Sequence, residues 1–420
     1  MGNAVRRVCP CCGNNIVLNR CPIYATAGQP ARREAPVPEP VDALLSDVPG
    51  DPSDDDLTGE VRATPRPARS GRSSSGPLWS WTPPGPPEQV RRGSWFSPTP
   101  ARPPEQGLVP LTAFPPGLLP RRFCYLEDCR QPLPPDLDER QAHIVSVVGL
   151  NAAGKTYYLA TALTEALNGP GLDIAGFREF EPDEETAQRF FVNYYSPVYR
   201  DNQALRSTPE AGSAGQKSLN FRARIDGGRP MLVMTHDISG ETLMNYAKRA
   251  RDAGFLRHSS AVIFLVDPLE FDPIREQSNE HIQGRTIHQR DLLAATLREL
   301  EFELGRQKVP VAVVVSKADL LEPFLPANAQ FLGLPPRHRE QTLQEWLREL
   351  QQTSVAVREV LIKMGQDRLV RAAESYGPVS FHAVSALGGQ PRPGGPARPN
   401  PRRVLDPLAL VLWRLSNALA

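Results

Sequence analysis

The stretch HIVSVVGLNAAGKTYYLATALTEALN, residues 143–168, decides the fold. It opens with a compact apolar run ending in Gly149, the length of one buried strand. From Lys155 to Asn168 the spacing predicts a helix, with Leu159, Leu163, Ala166 and Leu167 on one face and Asn168-Gly169-Pro170 as its stop. Between the two, Gly149-Leu150-Asn151-Ala152-Ala153-Gly154-Lys155-Thr156 fits GxxxxGK[ST], in the strand-then-helix setting that gives the pattern its meaning. Glycines at both ends let the backbone wrap an anion, so that N–H groups from Asn151 through Ala152, Ala153, Gly154 and onward to Tyr157 point inward. Lys155 is expected to reach β and γ phosphates, and the Thr156 hydroxyl to ligate Mg²⁺.

The same alternation continues outward. KSLNFRARI (217–225) reads as a half-buried strand, and PMLVMTHD (230–237) follows it after a DGG turn. AVIFLVDP (261–268) and VPVAVVVSKAD (309–319) read as buried parallel strands. Between them Ile287 to Leu304 is expected to be helical, with Gly305 as the stop. VSFHAVSAL (379–387) is a last strand, and Asp406-Pro407 starts a C-terminal helix. Strands and helices in this order predict an α/β fold of three layers around a mostly parallel sheet.

The chain has 420 residues, with 48 Lys plus Arg against 47 Asp plus Glu. A formal charge of +1 gives no bulk electrostatic case for nucleic acid or an anionic membrane. No stretch approaches a membrane span, and no apolar run of signal-peptide length follows Arg6 and Arg7, so a cytoplasmic location is expected. Of 45 prolines, 26 precede residue 141, as do all six cysteines. Residues 22–120 are Pro, Gly, Ser and Arg rich without period, and read as a disordered insert that carries Trp79, Trp81 and Trp95. The excess of Ala, Pro, Gly and Arg resembles the output of a high-GC bacterial genome. Only six lysines remain, which singles out Lys155 and Lys317.

Cys9-Pro10-Cys11-Cys12-Gly13 is a knuckle turn that aims two thiolates at one metal, and Cys124 and Cys129 form a second pair. In a reducing compartment the two pairs predict a closed structural zinc site of Cys9, Cys12, Cys124 and Cys129. Cys11 and Cys21 are left over, with Cys21 an alternative to one ligand of the second pair. Looping out the insert between the pairs costs modest entropy. The expected organisation is a zinc-ribbon-like module over 1–21 and 121–137, the insert over 22–120, and a nucleotide domain over 138–420 with a helical insertion near 325–377.

Downstream of the phosphate loop, the chain resembles the Ras-like P-loop GTPase superfamily. Asp237-Ile238-Ser239-Gly240 matches DxxG, Ser316-Lys317-Ala318-Asp319 resembles [NT]KxD, and Ser385-Ala386-Leu387 resembles the SA[KL] loop. By that resemblance Asp237 holds Mg²⁺ and the Gly240 N–H meets the γ-phosphate. The Lys317 stem packs on the guanine ring and Asp319 accepts from its N1–H and 2-amino group, while the Ser385–Ala386 backbone reads O6. Adenine leaves that carboxylate unmatched. The resemblance also implies a switch threonine on Mg²⁺, for which Thr208 is the best candidate and Ser207 and Thr186 are weaker ones. Glu241 and Lys155 are the candidate catalytic groups, Glu241 standing where Gln is common. The zinc knuckle, GxxxxGKT, SKxD and the C-terminal DPLxxxLWRL together resemble the bacterial double-GTPase families. That implies GTP/GDP, Mg²⁺ and Zn²⁺, a second paralogous GTPase and GTPase-associated proteins. It implies a GTP-hydrolysing switch or, alternatively, a GTP-binding scaffold with little hydrolysis.

Overall fold

A computed structural model describes residues 6–27, 118–127, 129–168, 170–201, 203, 205, 218–245, 249, 253–277, 290–305, 308–325, 341–389 and 399–417. In the cysteine segment, β1 (Arg6–Val8) pairs antiparallel with β2 (Asn15–Val17). The turn between them is the knuckle, closed by Cys9 N–H to Asn14 O at 2.9 Å and Gly13 N–H to Cys9 O at 2.9 Å. β3 (Ile23–Ala27) pairs antiparallel with β4 (Leu118–Arg122), from Ile23 opposite Arg122 to Ala27 opposite Leu118. This corrects the expected edges of the insert: pairing runs past residues 21 and 121 into the stretch read as featureless. Ile-Tyr-Ala-Thr-Ala carries β-formers that its proline-rich surroundings hid. The rest of the insert, with its tryptophans, lies outside the described residues.

β5 (Gln141–Gly149) feeds α1 (Lys155–Asn168). There follow β6 (Phe177–Pro182), α2 (Glu184–Phe190) and a π-helical stretch, Phe191–Arg200. β7 (Leu219–Ile225), β8 (Met231–Asp237), the short α3 (Gly240–Met244), β9 (Ser259–Val266) and α4 (Asp272–Gln277) come next. α5 (Arg290–Leu304), β10 (Val311–Val315), α6 (Leu343–Lys363), α7 (Asp367–Glu374), β11 (Val379–Ala383) and α8 (Leu405–Asn417) complete the order. One seven-stranded sheet runs β11-β10-β9-β5-β8-β7-β6. β11 through β8 are parallel, while β7 and β6 are antiparallel. The central strand therefore carries the phosphate loop, and the ends of β8, β9, β10 and β11 open beside it.

Side chains alternate along β5, so the sheet has two cores. Val145 and Val147 join α1, α8 and Trp346 of α6 on one face. Ile144 and Val148 join α5 and α7 on the other, in a cluster that also includes Cys9, Ile16, Leu18, Leu133 and Leu137. The cysteine segment thus shares the core of the nucleotide domain. A fork from Arg122 Nε to both Asp138 oxygens, at 2.9 and 2.7 Å, ties β4 to the chain entering β5. Among the described residues, no helix is long and apolar enough to cross a membrane.

The strand β6 and helix α2 have no counterpart in the expectations above. Phe-Arg-Glu-Phe-Glu-Pro is a charged edge strand held on β7 by its ladder, by a stack of Phe180 on Phe221 at 4.8 Å and by ion pairs such as Arg140–Glu179 at 2.8 Å. The π-helical stretch carries Phe191 on Tyr195 and Tyr195 on Tyr199, stacked at spacings of four residues.

Burial holds the His143 imidazole at a pKa of about 4 and that of His382 at about 3. Both lie below the unfolded value, so the unfolded chain binds more protons as pH falls from about 6.5 toward 4. Stability is full above about 6.5 and declines through that window, by at most about 3 kcal/mol per pH unit from these two groups. Melting temperature followed from pH 7.5 to 5 should fall, and His143→Phe should flatten the slope. A flat profile in the unsubstituted chain counts against this reading.

Candidate nucleotide site

The phosphate loop leaves β5 at Gly149, where a side chain would meet Leu265 O at 2.6 Å on the neighbouring strand. Ala152 (φ 61°) and Gly154 (φ 78°) take left-handed conformations that curl the loop before α1. Lys155 is buried, and its ammonium donates to Gly149 O at 3.0 Å and Leu150 O at 2.8 Å, which holds it over the loop's mouth. Burial pushes its pKa down to about 8, opposed by the Asp237 carboxylate. Thr156 Oγ1 donates to Asp237 Oδ2 at 2.8 Å, so the two residues expected to share Mg²⁺ already meet. They supply a hydroxyl and a carboxylate, the hard oxygen donors that Mg²⁺ takes.

Gly240 presses on the same loop: a Cβ there would lie 2.3 Å from Asn151 Oδ1 and 2.4 Å from Asn151 N. The DxxG turn is shaped by Ser239, which caps α3 by accepting from Thr242 N–H at 3.1 Å. Glu241 is exposed in the first turn of that helix. Thr208 and Ser207 lie outside the described residues. Thr186 is fully buried and accepts from Asn220 N–H at 2.9 Å, which spends its hydroxyl on pinning α2 to β7. Tyr157, expected to act through its backbone, also uses its hydroxyl, which accepts from Leu205 N–H at 3.0 Å.

The two loops expected to read the base are zipped together. Ala318 N–H donates to Val384 O and Val384 N–H to Val315 O, each at 2.9 Å, joining the SKAD turn to the loop after β11. Ser316 Oγ donates to Val266 O at 3.1 Å. Lys317 is left-handed (φ 47°), and its ammonium meets Asp267 Oδ2 at 2.8 Å. Ser385 Oγ donates to Asp319 Oδ1 at 2.6 Å and accepts from Gly388 N–H at 3.0 Å. Ser385 N–H itself donates to Arg402 O at 3.1 Å, so this residue orients the carboxylate, and its own N–H is engaged away from a base. Sequence reasoning did not single out Asp267, although an acidic residue at the end of the strand beside SKAD was its signal.

The four sulfurs of Cys9, Cys12, Cys124 and Cys129 lie within 4.8 Å of one another. Cys9 and Cys129 sulfurs are 3.8 Å apart. A zinc ion bonded to thiolates at about 2.3 Å requires sulfur separations of about 3.8 Å in a tetrahedron, so the donor set fits such an ion. Cys21 stands aside, its thiol directed at Val17 O (3.7 Å), whereas the Cys11 thiol, directed at Pro132 O (3.9 Å), lies beside the cluster and interacts with Cys9 and Cys129.

A central strand running into a glycine loop, DxxG at the end of its neighbour β8, and the SKAD and Ser385 loops after β10 and β11 make up a P-loop GTPase fold. The family model for double-GTPase 2 matches residues 143–373, and the chain belongs to that family of GTP-binding proteins. A relative from Mycolicibacterium smegmatis, "Putative ESX-1 scaffolding and assembly protein SaeC", is 25% identical over 213 residues. The match takes in 49% of this chain and 54% of that protein, so the chain spans about half the length of this curated relative. Among solved structures, GDP-bound Roco2 RocCORdC of Methanosarcina barkeri matches with 14% identity and a TM-score of 0.29, over 67% of this chain and 50% of the other. A GTP-binding protein of Sulfolobus solfataricus in complex with GDP matches with 13% identity and a TM-score of 0.27, over 66% and 53%.

Proposed function

We propose that the chain binds Mg²⁺-GTP and hydrolyses it to GDP, as a molecular switch in a bacterial multi-protein system. The observation that carries the reading is the adjacency of the phosphate loop, the Asp237–Gly240 turn and the zipped Ser316–Asp319 and Ser385 loops at one end of the sheet. In this reading N–H groups from Asn151 to Thr156 cradle the phosphates, and Lys155 swings from two carbonyls to the β and γ oxygens. Thr156, Asp237 and Thr208 would hold Mg²⁺, which supplies charge neutralisation on the phosphates. Gly240 N–H fixes the γ-phosphate. Asp319, oriented by Ser385, accepts from guanine N1–H and the 2-amino group, and Ala386 N–H reads O6. Lys317, tethered to Asp267, lays its stem along the base.

Glu241 stands beside the γ-phosphate position and orients the attacking water. Glu241→Ala is expected to lower phosphate release by about 100-fold with little change in GTP affinity. Single-turnover release measured alongside binding checks this, and unchanged turnover removes the role. A second reading is a GTP-binding scaffold that turns over little. The name of the Mycolicibacterium relative, a putative scaffolding and assembly protein, favours it. Either function would be exercised in the cytoplasm, where GTP is abundant and thiols stay reduced, together with a second GTPase. The domain division is part of the proposal: a zinc-holding module, an insert and a nucleotide domain. Phosphate release from GTP and ATP, with Asp319→Ala as comparison, separates the readings. Release from GTP that Asp319→Ala abolishes supports the switch, guanine binding without release supports the scaffold, and a preference for ATP rejects both.

A further inference from the structure

His236 stands where the cysteine knuckle meets the nucleotide loop. It is the residue before Asp237 on β8 and is 1% exposed. Its Nε2 lies 2.9 Å from Pro10 O, which accepts from it, and its ring stacks on Phe255 with centroids 3.7 Å apart. Pro10 sits between Cys9 and Cys12, two of the four clustered cysteines. The knuckle also packs closely on the segment that carries Phe255. A Cβ on Gly13 would lie 2.2 Å from Phe255 N, and one on Gly254 would lie 3.2 Å from Cys12 O.

Strand alternation sends the next side chain, Asp237, to the opposite face, where it accepts from Thr156 Oγ1 at 2.8 Å. Gly240, at the end of the same turn, abuts Asn151 of the phosphate loop. One imidazole and one peptide link therefore separate the knuckle carbonyl from the Thr156–Asp237 pair.

We propose that His236 is a positioning residue that couples the four-thiolate site to the Asp237–Gly240 turn, so that metal in the knuckle and nucleotide in the loop stabilise each other. The proposal rests on the guanine-nucleotide reading above. An ion held by Cys9 and Cys12 fixes the turn between them, and with that turn the direction of the Pro10 carbonyl. The carbonyl and the Phe255 stack leave His236 one orientation, and a close-packed strand passes that constraint to Asp237. From the other end, a γ-phosphate on Gly240 N–H holds the same turn. Linkage makes the effect reciprocal: whatever the metal adds to Mg²⁺-GTP affinity, Mg²⁺-GTP adds to metal affinity.

The test is zinc transfer from the purified 420-residue chain to the chelating dye 4-(2-pyridylazo)resorcinol, without nucleotide, with Mg²⁺-GDP and with Mg²⁺-GTPγS. Release from the unsubstituted protein is expected to be slower by about 5-fold or more in Mg²⁺-GTPγS than in Mg²⁺-GDP. His236→Phe keeps a ring on Phe255 and loses the N–H. It should bring the two rates within about 2-fold of each other and weaken Mg²⁺-GTPγS binding by about 5-fold. His236→Gln, whose amide N–H can reach the same carbonyl, should restore both, which a merely space-filling role would not require. Nucleotide-independent release from the unsubstituted chain overturns the coupling, and this comparison needs no variant to fold. A His236→Phe chain that keeps the nucleotide dependence overturns the role of His236. If the chain binds GTPγS and the zinc rates do not respond, only this coupling fails. If it binds no guanine nucleotide, the functional reading fails with it.

Discussion

Asp319→Asn should shift the base preference from guanine to xanthine. In the proposed base-binding mode the carboxylate accepts two hydrogen bonds, from N1–H and the 2-amino group, so an amide in its place sets an NH₂ donor against a donor. Xanthine carries an oxygen where guanine carries that amino group, and the amide then matches it. A buried donor facing a donor loses its partner outright, a mismatch that discriminates by about 100-fold or more. Calorimetric titration with GDP and XDP is the measurement. The expected result is GDP binding weakened by at least about 100-fold, with XDP binding gained. Ser385 donates to the same carboxylate at 2.6 Å and would still find the Asn carbonyl oxygen, so the loop's geometry should survive. Retention of tight GDP binding in the variant would place the base elsewhere.

Cys124→Ser should have the second large effect, on stability. Cys124 is 1% exposed and belongs to the core cluster that also contains Ile238, Leu243 and Phe255 around the DxxG turn. A closed thiolate site contributes folding free energy outright, on the order of 10 kcal/mol in isolated modules, comparable with the whole stability of a domain. On the proposed zinc site, loss of one ligand is therefore expected to abolish zinc binding by the quartet and to lower the melting temperature by about 10 °C or more. Metal content by mass spectrometry and thermal unfolding are the readouts. Cys21→Ser is the matched control, because its thiol is directed at Val17 O and should leave zinc in place. One zinc per chain retained in Cys124→Ser would show that this cysteine is no ligand.

The elements legible in the sequence were those in which one local rule sufficed. In residues 143–168, apolar run, glycine loop and helical stripe each pointed to the same unit; α1 has the expected bounds, and β5 ends at Gly149 as expected but starts two residues earlier, at Gln141. The cysteine quartet was legible because spacing alone pairs thiols, whatever lies between. What stayed hidden depended on partners distant in the chain. Phe177–Pro182 is charged and becomes a strand only because β7 offers an edge and Phe221 a ring. Nothing in MLVMTHD distinguishes a histidine buried under a knuckle more than two hundred positions upstream from a polar strand end. Ser385 looked like part of a base-reading backbone, and only the bridge to Arg402 turns its N–H away.

The pairing of β3 with β4 makes the molecule a host. Ala27 and Leu118 face each other across adjacent antiparallel strands, so whatever joins them begins and ends at almost one point. A closed loop's entropic cost grows only with the logarithm of its length, so reducing the ninety intervening residues to a tight turn changes stability by only about 3 kcal/mol. Selection is then free to lengthen, shorten or rewrite that connection, or to graft a foreign domain there, while the nucleotide machinery below it folds from the same strands.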